Sequence, residues 1–400
     1  MPRVSPTRAP RPAIAIAIVA LPVLAGCVSN TPSAGTSAID VESSATECKL
    51  AATTAPSGTL TFKVKNTGDD VTEFYLLGED ELRVVSEVEN VGPGLTRDLV
   101  VQVPPGTYHT ACKPGMVGDG IKAAFTVTDS GASIGPTGDV AKQLEDARNS
   151  YIAYVKDQAG TLIAGTQAFA DAYAAGEDDT ARDLYAKTRL NWERIEPVAE
   201  SFGDLDPLLD AREADLEEGQ AWTGWHRIEK DLWPPAPDAN GGETYVPLTT
   251  EERAAAAADL VANTEALVAK VNAPDFTFEA FQISNGAKEL LDEVASGKVT
   301  GEEEIWSHTD LWDFQANLDG AFVAFEVLRD VAAAEDAELV ATLDERFTAL
   351  KALLATHGSI EAGFTSYDKL SQEEIQALAA AVDALGEPLS TLTSTITGAG

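Results

Sequence analysis

The segment from Gly219 to Trp233, GQAWTGWHRIEKDLW, sets His226 and Glu229 three residues apart among Trp222, Trp225 and Trp233. Residues three apart are neighbours on a helix surface, so an imidazole and a carboxylate there can reach one point, as two ligands of a metal ion would. At about 100° per residue, Ala221, Trp222, Trp225, Ile228, Leu232 and Trp233 share one arc. Glu229 falls inside that arc and His226 at its edge, while Arg227, Lys230 and Asp231 point elsewhere. An inward carboxylate needs a cation, a hydrogen-bond network or a metal, because burying an unpartnered charge is costly. HxxE is a short match, and taken alone it reads equally well as a structural pair satisfied by polar neighbours.

Further acids lie within reach of the same chemistry. In TRLNWERIEP, Leu184, Trp192, Ile195, Ala199 and Phe202 mark the apolar face; Glu196 sits at its edge and Glu193 points more outward. Pro197 removes a helical hydrogen bond, which predicts a kink beside Glu196. That carboxylate is either a ligand or a surface partner of Arg189 or Arg194. Asp204, Asp206 and Asp210 follow in GDLDPLLDARE, and in SHTDLWDFQAN the residues Asp310, Phe314 and Asn317 share a stripe. Asp210 and Asp310 are taken as additional metal ligands or as groups that orient them. One imidazole with several carboxylates is a hard, oxygen-rich donor set that suits iron or manganese, tolerates zinc as a surrogate and disfavours copper(I). Helical bundles build such sites from inward Glu and His on facing helices. The chain carries no HExxH pair, GxSxG elbow, P-loop or cysteine zinc motif, so hydrolysis lacks a visible base and nucleophile, and no catalytic residue is assigned. A role for Glu229 in activating metal-bound water is not separated from ligation by the spacing.

The elements that must position these groups fall into distinct segments. Arg3, Arg8 and Arg11 precede an apolar run from Ala13 to Leu24 that ends in Leu24-Ala25-Gly26-Cys27. The run is too short to span a bilayer, so residues 1–26 read as a lipoprotein signal peptide and Cys27 as the lipidated residue. Residues 27–45 are small and polar, as a flexible tether would be. Over 46–129, short alternating runs such as LTFKV, LVVQV and AFTV are separated by Gly/Pro turns, the pattern of a small β-sandwich. Residues 130–139, rich in Gly, Pro and Ser, form a linker. From 140 to 398 helical spacing takes over, with helices predicted at about 140–175, 178–203, 219–232, 250–271, 276–296, 308–331, 335–356 and 372–396. Capping boxes mark two of the starts, Thr249-x-x-Glu252 and Ser371-x-x-Glu374. Cys48 and Cys112 make an even pair in an exported chain and are expected to be bonded to each other. The formal charge is −37, and −40 without the three signal-peptide arginines. Such a surface excludes nucleic acid as a partner and concentrates cations, although acidity also serves solubility alone.

GxHxxE at Gly224, His226 and Glu229, RxxWxxxE at Arg189, Trp192 and Glu196, and SHTDLWDFQAN at 307–317 together resemble the EfeO-type iron-uptake lipoproteins. ERIEPVAESFGDLDPLLDARE and GFTSYDKL extend the resemblance from about Cys48 to about Leu392. It implies a multidomain β + α chain: an N-terminal cupredoxin-like Greek-key β-sandwich followed by an all-α imelysin-like helical bundle. It implies iron, ferric or ferrous, at His226 and Glu229, with Glu196 and nearby acids as co-ligands. It also implies an iron permease in the membrane and a haem-containing, peroxidase-like protein as partners.

The small domain departs from that pattern. Blue copper needs two His, a Cys and often a Met. Here the loop runs Tyr108-His109-Thr110-Ala111-Cys112-Lys113-Pro114-Gly115-Met116, without a histidine after Cys112, and the strand expected to supply another His offers Glu73. Copper is therefore not expected. Glu73, His109, Cys112 and Met116 are what remains for an atypical second metal site, His109 and Met116 otherwise being ordinary strand-end and loop residues. The resulting expectation is a non-enzymatic, lipid-anchored extracytoplasmic protein that captures iron and delivers it to a permease. Its rivals are an HxxE metallopeptidase and a lipoprotein that binds a polysaccharide or other organic ligand bridged by metal.

Overall fold

Apolar side chains at alternate positions build the first half of the chain. The computed structural model describes residues 38–398 except 80, 82, 83, 117–119, 132, 133, 217, 218 and 297. The signal peptide expected at 1–26 and the lipidation site Cys27 lie outside the described residues. Nine strands come first: β1 (Ile39–Ser43), β2 (Cys48–Leu50), β3 (Thr54–Pro56), β4 (Gly58–Asn66), β5 (Thr72–Leu77), β6 (Val84–Val91), β7 (Thr96–Val103), β8 (Gly106–Pro114) and β9 (Ile121–Thr128). They form two sheets, ordered β2-β1-β4-β7 and β3-β9-β8-β5-β6, and the chain crosses between them after β2, β3, β4, β6 and β7. Leu60, Phe62 and Val64 of β4 point inward, and Phe62 meets Phe74 and Phe125 of the other sheet at centroid distances of 5.2 and 5.4 Å. A disulfide joins Cys48 in the first sheet to Cys112 in the second.

The expected tether at 27–45 is too long. Residues 39–43 pair in parallel with β4 and bury Ile39, Val41 and Ser43 while exposing Asp40 and Glu42. Five residues of period-2 alternation next to a polar stretch were too few to reveal a strand.

The second half is helical: α1 (Gly138–Ala174), α2 (Asp178–Glu193), α3 (Leu205–Asp210), α4 (Trp225–Leu232), α5 (Thr250–Val271), α6 (Ala280–Ser296), α7 (Asp310–Glu335), α8 (Ala337–Leu354), α9 (Gln372–Leu389) and α10 (Leu392–Thr397). A two-strand pair, β10 (Gly358–Ser359) and β11 (Gly363–Phe364), lies between α8 and α9. In α1, Tyr151, Val155, Ala159, Leu162, Thr166, Phe169 and Tyr173 recur every three or four residues and are fully buried, a single core-facing stripe. Both capping boxes form: each Ser or Thr side chain accepts the N–H three residues on, and that residue's Glu returns to the cap.

Three helices differ from their sequence spans. The predicted helix 178–203 stops at Glu193, and a 3-10 turn, Glu196–Phe202, takes over with Pro197 near its start. The helix expected from 219 begins at Trp225, behind Gly224. The last helix breaks at Leu389, where the hydroxyls of Ser390 and Thr391 donate to the carbonyls of Glu387 and Pro388 at 2.6 and 2.8 Å. Among the described residues, no helix is long and apolar enough to cross a membrane.

Helix α6 belongs to both halves. Phe281 inserts into the apolar core of the sandwich. Asn285 donates to the carbonyl of Val100 at 2.9 Å and to the hydroxyl of Ser86 at 3.2 Å, and its own oxygen accepts from Thr393 at 2.6 Å. Arg97 of β7 pairs with Asp292.

The disulfide spans 64 residues, which in the chain-entropy picture corresponds to about 4 kcal/mol of denatured-state restriction. The Cys48→Ser/Cys112→Ser variant is expected to lose about 2–4 kcal/mol of unfolding free energy from the sandwich. Guanidinium titration checks this, and an unshifted midpoint would show that the bond contributes nothing.

Candidate metal centre

Four stretches of backbone converge on His226. The first is α4 itself, whose Trp225 packs on Phe169 of α1 and Tyr185 of α2 at centroid distances of 5.0 and 5.8 Å. That anchor turns His226 and Glu229 inward, and both are fully buried. The second is the end of α3. Gly224 has φ +86°, and a Cβ there would lie 2.1 Å from the carbonyl oxygen of Leu209. Only glycine permits that approach, which brings the last residue of α3, Asp210, beside the imidazole. The third is α2, which presents Tyr185, Arg189, Trp192 and Glu193 on one inward stripe. The fourth is the segment before α7, which delivers Glu303, Glu304 and Ser307.

The two imidazole nitrogens look in different directions. Nε2 lies 3.5 Å from both Asp210 Oδ1 and Glu303 Oε1, with no hydrogen-bond partner among the described residues. Nδ1 lies 3.2 Å from Glu229 Oε2. Two groups could therefore hold an ion: Asp210, His226 and Glu303, and His226, Glu229 and Glu304, with the ligand atoms of each group within 4.8 Å of one another. Ligands bound to one ion at about 2.0–2.2 Å sit about 3–3.5 Å apart, so the Nε2 group is close to ligand spacing already.

Each carboxylate is held from behind. Glu229 Oε1 accepts the backbone N–H groups of Trp306 and Ser307 at 3.1 and 2.8 Å. Glu304 accepts from Tyr185 at 3.2 Å and Ser307 at 2.7 Å and is ion-paired with Arg189, whose Nε lies 2.8 Å away. Asp210 accepts from Trp192 Nε1 at 2.7 Å and is paired with Arg189. These partners fix ligand orientation as outer groups do around bound metals.

Of the residues singled out from sequence, His226, Glu229 and Asp210 come together. Glu196 stands apart from both groups: Lys298 donates to it at 2.9 and 3.0 Å and Asn317 at 2.7 Å. Asp310 accepts the N–H of Glu304 at 3.2 Å, which ties the Glu303–Ser307 segment to the start of α7. Its other oxygen has no hydrogen-bond partner among the described residues. Glu193, expected to face outward, is fully buried between Arg189, Lys298 and Asn317, because α2 is covered by α7 on the side that single-helix periodicity leaves to solvent.

In the sandwich, Glu73 and His109 face Lys113 and Leu77 across β5 and β8, four rungs or about 13 Å apart. Glu73 is bonded by Tyr75 at 2.6 Å, Cys112 is in the disulfide, and Met116 is exposed. The structure therefore does not gather Glu73, His109, Cys112 and Met116 into one donor set.

Sequence reasoning missed Glu303 and Glu304, which sit in GEEEIW without helical periodicity to give them a face. It also treated Arg189 as a surface partner. The signal was present in the placement of Arg189 between Tyr185 and Trp192 on one stripe.

Burial and the charge of Arg189 oppose protonation of His226, but the acids Glu229, Glu303 and Asp210 outweigh them and hold its pKa well above the ordinary value. Burial pushes Glu304 and Asp313 well up, reinforced by Glu229 and Glu193 respectively. Burial also lifts Asp310 to about 7. Glu303 moves the other way: burial is overcome by Lys298, His226 and Arg212. Among the described residues, six buried or nearly buried acids, Glu193, Asp210, Glu229, Glu303, Glu304 and Asp313, lie around the two fully buried permanent cations Arg189 and Lys298.

Residues 147–392 match the imelysin family and residues 17–127 the cupredoxin-like domain. The iron uptake system component EfeO of Yersinia pestis is 34% identical over 385 residues, 96% of each chain. EfeO of Yersinia pseudotuberculosis is 36% identical over 349 residues, covering 86% of this chain and 87% of its own, and EfeO of Escherichia coli K12 is 34% identical over 349 residues, 86% and 88%. With both domain matches and this coverage, the chain belongs to the EfeO family.

Proposed function

We propose that the chain is an extracytoplasmic iron carrier that captures iron at His226 and delivers it to a membrane permease. The observation that supports this most is the fully buried imidazole of His226 with acid groups at both of its nitrogens, Asp210 and Glu303 beside Nε2 and Glu229 with Glu304 on the other side. Oxygen-rich donors with one imidazole suit iron, and zinc would bind as a surrogate. The relatives' role as iron uptake system components agrees with this reading. Cys27 would anchor the chain to the membrane through lipid, near the permease, with a haem peroxidase-like protein as a further partner.

A non-enzymatic role fits the way the acids are engaged. Glu229, the residue a metallopeptidase would use as base, has one oxygen taken by two backbone N–H groups and the other turned to His226.

Calorimetric titration of the chain from Val28 with ferrous iron without oxygen, and with ferric citrate in air, tests the site. The His226→Ala/Glu229→Ala variant is expected to lose more than about 100-fold in affinity, since removing even an outer partner costs about 10–100-fold. Glu303→Ala is expected to follow it and Glu196→Gln to stay within about tenfold. Unchanged binding in the double variant, with circular dichroism intact, would move the metal elsewhere. Peptide hydrolysis lost with His226→Ala would replace the carrier reading with the enzymatic one.

Proton competition sets the pH dependence. His226 is protonated below its raised pKa, so a metal must displace that proton, and apparent affinity is expected to rise about tenfold per pH unit between pH 6 and 7. Titrations in buffers of different ionisation enthalpy are expected to report at least one proton released per iron. Release of none would show that the imidazole is not a ligand.

A further inference from the structure

His226 is fully buried, so an ion can reach it only where a covering element moves aside. Residues 302–307 have one side in the site and the other in solvent. Glu303 and Glu304 turn inward and are buried, Glu302 and Ile305 are exposed, Ile305 at 49%, and Trp306 and Ser307 are half-buried. The backbone N–H groups of Trp306 and Ser307 bond Glu229 at 3.1 and 2.8 Å, so at this place a single thickness of chain separates the acids from solvent.

This stretch is bracketed by two left-handed residues, Gly301 at φ +79° and His308 at φ +56°. That conformation is ordinary for glycine and uncommon for other residues, and each marks a sharp change of chain direction. Both ends rest on the buried Tyr367: a Cβ at Gly301 would lie 2.9 Å from its ring, and its N–H donates to the carbonyl of His308 at 2.9 Å. Between these pinned ends, an aromatic pair clasps the outer side. Trp306 meets Trp222 at a centroid distance of 5.7 Å, and Lys230 lies over the two rings at 5.3 and 5.8 Å. Trp222 Nε1 in turn donates at 2.7 Å to the carbonyl of Ala211, next to Asp210. The inner side is held by polar contacts with Glu229, Arg189, Tyr185 and Asp310.

We propose that residues 302–307 form a hinged flap over His226, turning at Gly301 and His308, with Trp222 and Trp306 as its clasp. The proposal rests on the carrier reading and adds to it the moving part. Opening carries Glu303 and Glu304 away from the imidazole, so it admits an ion to an empty site and removes two of the acids beside a bound one. The polar contacts on the inner side make the open state a minor one, and loading and release both proceed through it. The clasp lies outside the acids whether or not an ion is bound. Weakening it therefore raises both rates by the same factor and leaves the equilibrium affinity unchanged.

Hydrogen exchange of the metal-free chain from Val28, resolved by NMR, tests the hinge without iron. The amides of Trp306 and Ser307 are expected to exchange at least about tenfold faster than those from Leu162 to Phe169 in the middle of α1, and faster still in Trp222→Ala. Exchange as slow as that of α1, or unchanged in Trp222→Ala, would overturn the flap. Transport is followed with ferrous iron, without oxygen, by timed trapping of unbound metal with ferrozine. Trp222→Ala is expected to load and release iron at least about fivefold faster while equilibrium affinity stays within about threefold. Faster release without faster loading would overturn the proposal. In Trp222→Cys/Trp306→Cys, a short bismaleimide bridge is expected to slow both steps at least about tenfold against the same variant capped with N-ethylmaleimide, the native cysteines being bonded to each other. Equal rates in the bridged and capped chains would overturn it as well. Should the cysteine variant fail to fold, the exchange and rate measurements on the wild type and Trp222→Ala decide the matter. A wild-type chain that takes up no iron would remove the carrier reading, and the exchange experiment alone would then decide whether the flap opens.

Discussion

The site depends on one buried guanidinium. Arg189 is fully buried, and its nitrogens reach Glu193 on its own helix, Asp210 at the end of α3, and Glu303 and Glu304 before α7. Without it, these acids would have to be brought together as charges in a poor solvent, which costs several kcal/mol per ion, or be neutralised one by one. A planar, permanently charged fork suits this role better than an ammonium, because it donates along several directions at once. Arg189 therefore joins three chain segments around His226, and it does so with the charge opposite to theirs.

That arrangement separates the task of holding ligands from the task of binding an ion. Glu229 and Glu304 are fixed by backbone N–H groups, Tyr185 and Ser307, and Asp210 by Trp192. Trp225 holds the helix that carries His226. The acids are consequently held in place by the protein's own groups, and the ordering cost of gathering them falls on folding. Helix α6 extends the same logic to the sandwich, since Asn285 satisfies a strand carbonyl and a strand hydroxyl while Phe281 fills the apolar core.

What could be read from the chain followed from periodicity and from short local motifs. The helix near 140–175, the alternation of β4 and the two capping boxes each depend on residues close in sequence, and each formed as read to within a few residues. The HxxE pair was visible for the same reason. Glu303 and Glu304 were not, because they lie on an irregular segment whose direction is set by hydrogen bonds that its N–H groups donate to Glu229 and Asp310, residues distant in the chain or in a different element. Glu193 was placed outward because a single helix shows only its own apolar arc, whereas α7 covers its other side. Glu196 had the right residue type beside the expected kink, yet Lys298, about a hundred positions away, claims it. Acids on regular elements reveal their direction in sequence; the cations that decide their fate do not.

The resident cations also bear on how firmly an ion could be held. Any metal settling beside His226 Nε2 would sit between Asp210 and Glu303, both of which already face Arg189. Glu303 further faces Lys298 at 3.9 Å and Arg212 at 3.5 Å. The same positive charges that let the acids be buried therefore repel the ion and share its ligands. A cage of bare carboxylates would bind more tightly but could not be folded empty at comparable cost, because its acids would take up protons and lose their shape. A centre assembled around arginine and lysine holds its acids together without an ion and would give up part of its affinity to do so, which would suit a site that must be emptied as well as filled.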